Sequence, residues 1–173
     1  MNYTDNSNTL NNGTNITYTA PTLVTLGNWP QAALGDMSAA GLESAYVVPA
    51  TMIDDDSQSL AYAGTWAAQG FRGFGDYEDN VHYTMNDGDS VTLTFTGTGV
   101  SSVGEKDPSQ GAVAWSIDGQ AQGTVDTSLP AGTAREVQQV LFTSATLAAG
   151  CHVLQITKNG GDYMTVDAFR IQP

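Results

Sequence analysis

The residues best equipped for chemistry lie between Trp66 and Tyr83, in the string WAAQGFRGFGDYEDNVHY. Trp66, Phe71, Phe74, Tyr77 and Tyr83 carry aromatic faces that can stack on the apolar C–H face of a sugar ring. Arg72, Asp76 and Glu78 carry planar polar groups that can pair with neighbouring hydroxyls in bidentate fashion. Gly70, Gly73 and Gly75 interleave the aromatics, so this part is not a regular helix and reads as a long loop displaying its side chains. The competing reading makes Trp66, Phe71 and Phe74 core plugs under an Ω-like loop. The core reading is favoured for Trp66, at a strand end, and a surface role for Arg72, Asp76 and Tyr77.

Two further clusters could add contacts. Glu105-Lys106-Asp107 follows a strand and carries both charges, so Glu105 and Lys106 can bond hydroxyls; an ordinary charged turn ending at Pro108 is the alternative. Asn159-Gly160-Gly161-Asp162-Tyr163 joins the last two strands and offers Tyr163 as a stacking platform, or as a rim tyrosine packed on its neighbour. Trp115 shares a strand face with Val113 and Ile117 and reads as core. Catalytic patterns are missing: the chain has no His-Glu-x-x-His zinc motif, no Gly-x-Ser-x-Gly elbow and no glycine-rich phosphate loop before a helix. The sequence therefore assigns no catalytic residue and leads us to expect a chain that is not an enzyme.

The elements that must position these residues are short strands. Candidates are 60–66, 81–85, 90–96, 99–103, 112–117, 120–127, 135–143, 152–158 and 163–171. SVTLTFT alternates cleanly, with Val91, Leu93 and Phe95 on one face and Thr92 and Thr94 on the other. Asp118-Gly119 between two strand runs marks a hairpin, because a type I′ turn needs positive φ at both central residues. CHVLQIT alternates too, and Cys151 in it reads as a small buried or half-buried residue. This many short strands make an all-β antiparallel sandwich or jelly roll. Residues 1–51 read as a separate extension: a polar, Asn- and Thr-rich lead-in, then a strand, a short helix opened by Pro30 and a further strand, packing on the sandwich of 52–173.

Charge sets the outer limits. The chain has 18 acidic against 5 basic side chains among 173 residues, a net charge of −13. That disfavours nucleic acid and anionic membrane surfaces as partners. No apolar run approaches the roughly 18 residues of a membrane span. The single cysteine allows no internal disulfide, and the Met1 start has no signal-peptide pattern. The chain is read as a piece of a longer secreted protein.

Five strings occur in a consistent order: YAGTWAAQGFRGFGDYEDNVHYT, DGDSVTLTFTGTGV, AWSIDGQAQGTV, VQQVLF and GGDYMTVDAFRI. Together they resemble the accessory β-sandwich modules of secreted microbial polysaccharide-degrading enzymes. Those modules have the galactose-binding-like (discoidin-like) jelly roll, and many are carbohydrate-binding modules. The resemblance implies a structural calcium ion at one end of the sandwich, held by acids before the first strand and an aspartate on the last. Asp54, Asp55 and Asp167 stand at those places, and calcium wants six to eight hard oxygens. The alternative is that IDDDSQS is a solvated acidic turn. The resemblance also implies the function: a non-catalytic module that targets an attached secreted glycoside hydrolase or lyase to a polysaccharide or oligosaccharide. Two other readings stay open, an adhesin-like or receptor-binding homo-oligomer and a small polysaccharide-active enzyme.

Overall fold

The computed structural model describes residues 49–173. The expected lead-in and the short helix after Pro30 lie outside the described residues. Twelve strands follow in order: β1 (Thr51–Asp54), β2 (Leu60–Ala63), β3 (Ala67–Gly70), β4 (Asn80–Thr84), β5 (Ser90–Gly97), β6 (Gly99–Lys106), β7 (Ala112–Ile117), β8 (Gln120–Asp126), β9 (Glu136–Thr143), β10 (Gly150–Lys158), β11 (Met164–Val166) and β12 (Ala168–Gln172). A single 3-10 turn, Tyr77–Asp79, precedes β4.

Every pairing between these strands is antiparallel. One sheet runs β1-β12-β6-β9, a second β2-β5-β10-β7-β8, and a small third β11-β4-β3. Val91, Leu93 and Phe95 of β5 face Val100, Phe169 and Ile171 of the first sheet within one core, and Met164 and Val166 join it from the third. The sandwich expected from the alternation is therefore present. Each such side chain, fully withdrawn from water, contributes roughly 1.5–3 kcal/mol. Trp115 stacks on Phe142 across the two sheets, with ring centroids 4.2 Å apart and planes 15° from parallel.

Local chemistry explains the elements that the sequence marks clearly. Asp118 and Gly119 have φ of 50° and 76°, so the β7–β8 hairpin turns through the left-handed conformation that this pair tolerates. Gly161 has φ of 73°, and a Cβ there would sit 2.6 Å from the Cα of Gly111. That close backbone approach lets Asp162 and Tyr163 donate their amides to Ser109 O, both at 3.0 Å, which fixes Tyr163 beside the β6–β7 connection.

Several expectations are corrected. Cys151 is exposed: His152, Leu154, Ile156 and Lys158 take the inward positions of β10, so the period of two turns 151, 153 and 155 outward. The run 163–171 is two strands, because the chain leaves the third sheet at Val166 and enters the first at Ala168, with Asp167 at the crossing. Phe71 is fully exposed and Phe74 is 57% exposed, so neither is a core plug. The long loop after Trp66 contains β3, and Asp54 ends a strand rather than opening a turn. Glu105 and Lys106 lie on β6, not in the turn after it.

His152 sits beside the hairpin turn, its Nδ1 2.8 Å from Asp118 Oδ2 and its Nε2 2.8 Å from Ala148 O. The bond to Asp118 holds the imidazolium form and moves its pKa up from 6.5. A histidine with a raised folded-state pKa stabilises the fold below its unfolded pKa, and that contribution is lost as pH rises through the folded value. We expect a proton NMR titration of the imidazole to give a midpoint above 6.5, and Asp118→Asn to lower it. A midpoint unchanged by Asp118→Asn would count against this contact in solution.

Candidate functional site

The third sheet, the start of β9 and the end of β6 enclose a cleft of about 330 Å³ that opens to solvent. Strand β3 contributes Gln69, and the following turn contributes Arg72 and Phe74. Strand β4 contributes Val81 and Tyr83, while β11 and its approach contribute Thr165 and Tyr163. Glu105, Ser109 and Arg135 complete the walls. Tyr83 and Tyr163 meet edge to face with centroids 6.0 Å apart. The guanidinium carbons of Arg135 and Arg72 stand 4.6 and 5.3 Å from the ring centre of Phe74, within cation–π range.

Glu105 organises this cleft. Its side chain is 3% exposed, and both of its oxygens are engaged. Oε2 takes Arg72 Nη2 at 2.7 Å and pairs with Arg135 Nε at 3.3 Å. Oε1 accepts Gln110 Nε2 at 2.8 Å and the Thr165 hydroxyl at 3.0 Å. Gln110 also donates to the Thr165 hydroxyl. Arg135 is shared with Asp107 at 3.3 Å, and its side chain remains 28% exposed, so one of its faces is free for a ligand. Behind the cleft, Asp76 Oδ2 lies 3.4 Å from Arg72 Nε. Burial raises the pKa of Asp76, and Arg72 opposes that rise.

Beyond Asp76 lies a second acidic group. Asp54 at the end of β1 pairs with Ala168, next to Asp167, and Asp55 follows. Asp55 and Asp167 are 1% and 0% exposed. Asp167 Oδ1 accepts the Tyr77 amide at 2.9 Å, Asp55 Oδ2 lies 2.5 Å from His82 Nδ1, and Asp54 Oδ2 accepts Asn80 Nδ2 at 3.2 Å. Tyr62 stacks on the His82 ring at 4.5 Å and donates its hydroxyl to Asp55 O at 2.6 Å. Burial pushes the pKa of Asp167 up to about 7, and the charges of Asp76, Asp55 and Asp54 add to it. Burial pushes Asp55 to about 6, against the His82 bond.

The opposite oxygens of these residues have no partner. Asp54 Oδ1, Asp55 Oδ1, Asp167 Oδ2 and Asn80 Oδ1 are all buried without a hydrogen bond, as are both oxygens of Asp76. Such groups are costly to bury unpaired. Hard oxygens of this kind are the donors calcium takes. Among the described residues no three His, Cys, Asp or Glu side chains are arranged around one point as metal ligands. The orphaned oxygens lie on neighbouring side chains, which a cation would draw together. By donor chemistry the group fits.

The structure thus sorts the residues singled out in the sequence. Arg72, Glu105 and Tyr163 come together in one cleft, with Asp76 directly behind. Tyr77 touches the acidic group through its backbone. Glu78 is exposed, with φ of 54°, and Lys106 ends β6; neither lines the cleft. Trp66 is half-buried against the core, its indole N–H donated to Ala63 O at 3.1 Å. Tyr83, one of the aromatics of the 66–83 segment, also lines the cleft, whereas Gln69, Ser109, Arg135 and Thr165 were not singled out by the sequence. Arg135 had one available signal: it is one of five basic residues in an acidic chain.

No protein-family model matches the chain. Two relatives from Flavonifractor plautii are similar to it. An A type blood N-acetyl-alpha-D-galactosamine deacetylase is 36% identical over 104 residues, covering 60% of this chain and 13% of the relative. An A type blood alpha-D-galactosamine galactosaminidase is 30% identical over 127 residues, covering 71% of this chain and 11% of the relative. The chain therefore spans about an eighth or less of the length of these relatives. Among solved structures, a cycloisomaltooligosaccharide glucanotransferase from Paenibacillus sp. shares the fold over 70% of this chain and 18% of its own, with a TM-score of 0.52 and 16% identity. A Paenibacillus xanthan lyase does so over 73% and 14%, with a TM-score of 0.51 and 13% identity. The Agl-KA catalytic domain does so over 72% and 27%, with a TM-score of 0.50 and 18% identity. These findings correct the expectation that the chain is not an enzyme but a non-catalytic module: both relatives bear enzyme names, and a solved neighbour is a catalytic domain.

Proposed function

We propose that residues 49–173 form a glycan-binding unit of a larger, secreted carbohydrate-active enzyme, holding the enzyme on its polysaccharide or oligosaccharide. The observation that carries this reading is the cleft itself. Phe74, Tyr83 and Tyr163 offer aromatic faces, while Arg135 and Gln69 offer hydroxyl-pairing groups around a floor fixed by Glu105. Weak binding there raises the local concentration of substrate at an attached active site. The names of the two relatives direct the choice of sugar towards α-linked N-acetylgalactosamine and galactosamine glycans. A net charge of −13 favours neutral or cationic sugars over anionic polymers. Calcium would be held by Asp54, Asp55 and Asp167, where it would neutralise their mutual repulsion and tie β1 to the β11–β12 crossing.

The test is affinity electrophoresis of the chain through gels carrying A-type blood-group glycan, with neutral α-glucan and xanthan as comparisons. Retardation by the A-type glycan is expected. Tyr163→Ala and Arg135→Ala should each weaken it at least tenfold with the melting temperature little changed, since both side chains are partly exposed. Migration unaffected by every polymer would overturn the proposal.

A further inference from the structure

A second cleft, of about 260 Å³, opens beside the first and is lined by Thr65, Trp66, Ala67, Tyr83, Met85 and Asn86 among others. Tyr83 belongs to both clefts. The strand register explains this. Ala67 pairs with Tyr83 and Gln69 with Val81 across β3 and β4, and Thr165 pairs with Tyr83 across β11 and β4. Paired residues point to the same face of a sheet. Through Ala67 and Tyr83 the second cleft therefore continues the face of the first, displaced by two residues, or about 7 Å, along the strands. That displacement is about the length of one sugar ring.

Their chemistry differs. The first cleft is polar, with two guanidinium groups around a carboxylate. In the second, several polar groups are already committed: the Thr65 amide, the Thr84 hydroxyl and the Asn86 side-chain amide all donate to Asp89. The Trp66 indole N–H is likewise bonded. The cleft also offers apolar surface: the Trp66 ring, the Ala67 methyl and Met85, which is 57% exposed. Surfaces of this kind take the C–H face of a sugar or an apolar substituent on it.

We propose that this second cleft is a subsite for the sugar adjoining the one in the first cleft, so that the unit recognises an oligosaccharide rather than a single terminal residue. The inference rests on the glycan-binding reading of the first cleft. Its occupant follows from continuity: the surfaces share Tyr83 and one sheet face.

Calorimetric titration of the chain with N-acetylgalactosamine and with an A-type blood-group tetrasaccharide tests it. The tetrasaccharide is expected to bind about tenfold more tightly, the gain one added aromatic contact can give. Met85→Ala should remove part of that gain and leave the affinity for N-acetylgalactosamine unchanged. Because Trp66 packs on the core and its replacement risks unfolding, the exposed Met85 methyl provides the second readout. Its NMR signal should shift with the tetrasaccharide and not with the monosaccharide. Equal affinities with an unmoved methyl signal would overturn the subsite while leaving the first cleft its role. Binding of neither sugar would overturn both.

Discussion

Glu105→Ala will cost about 3–5 kcal/mol of stability, the range for removing one partner of a buried ion pair. The loss is this large because Glu105 is not one half of a single bridge. It is 3% exposed and neutralises Arg72, whose side chain is also 3% exposed, while also accepting from Gln110 and Thr165. Removing it leaves a guanidinium with Nε and Nη1 already unpartnered and strips away its best bond. It also frees Gln110, which is 4% exposed. Urea unfolding measures the change. Glu105→Gln keeps the shape and should cost less, but it turns an amide N–H towards Arg72 or Thr165. Arg72→Met combined with Glu105→Met should be better tolerated than the sum of the single changes, because neither charge is then left alone. Both single variants at Glu105 should also lose glycan retardation, since Arg72 and Arg135 depend on it for their placing. A Glu105→Ala protein within about 1 kcal/mol of the parent would show that the pairing contributes little.

The contrast between Glu105 and the rest of the cleft shows what the sequence makes legible. Strand β5 could be read directly, because the alternation of Val91, Leu93 and Phe95 is a local consequence of one buried face. The β7–β8 turn could be read because Asp118-Gly119 satisfies a backbone requirement by itself. Strand β3, AAQG, carries no apolar alternation and is exposed throughout, so nothing in its residues distinguishes it from a loop. It forms because β4 offers it a hydrogen-bonding edge. Strand β1 hides for a different reason: its Met52 and Ile53 are adjacent rather than alternating, and an aspartate ends it.

The site divides along the same line. Residues 66–83 were visible as a rich segment, but Arg135, Ser109 and Thr165 reach the cleft from the residue before β9, the β6–β7 connection and β11. No spacing in the chain announces that. Glu105 and Asp76 looked like exposed loop acids, yet both are buried against Arg72, which is four residues from Asp76 but 33 from Glu105. Asp167 illustrates the reverse. An aspartate interrupting the apolar run MTVDAFRI could be recognised as special without the structure, since a buried strand has no other use for an unpaired carboxylate.

That carboxylate carries the second large effect. In chelator, the chain should be more stable near pH 5 than near pH 8, opposite to the usual gain as carboxylates ionise. Asp55 and Asp167 are raised by burial to about 6 and about 7, above the ordinary 3.8 of an unfolded aspartate. A raised folded-state pKa means the native state holds its proton longer than the unfolded state does. The stabilisation is complete below pH 3.8 and disappears as pH rises through 6 to 7. Every tenfold gain in proton affinity on folding is worth about 1.4 kcal/mol, so the two groups together amount to several kcal/mol even after discounting for their interaction. Thermal unfolding in chelator across this range should show a fall in melting temperature of about 10 °C or more. Calcium at about a hundred times its dissociation constant should restore about 2.7 kcal/mol at pH 8. Asp167→Asn separates the two effects. Its side-chain oxygen still accepts the Tyr77 amide, and one charge leaves the acidic group, so in chelator at pH 8 it should melt no lower than the parent. It should also lose the response to calcium, having given up a charged ligand. A parent chain whose melting curve is indifferent to calcium at pH 8 would remove calcium from this site, and a chelator profile that rises from pH 5 to 8 would remove the buried, protonated carboxylates as well.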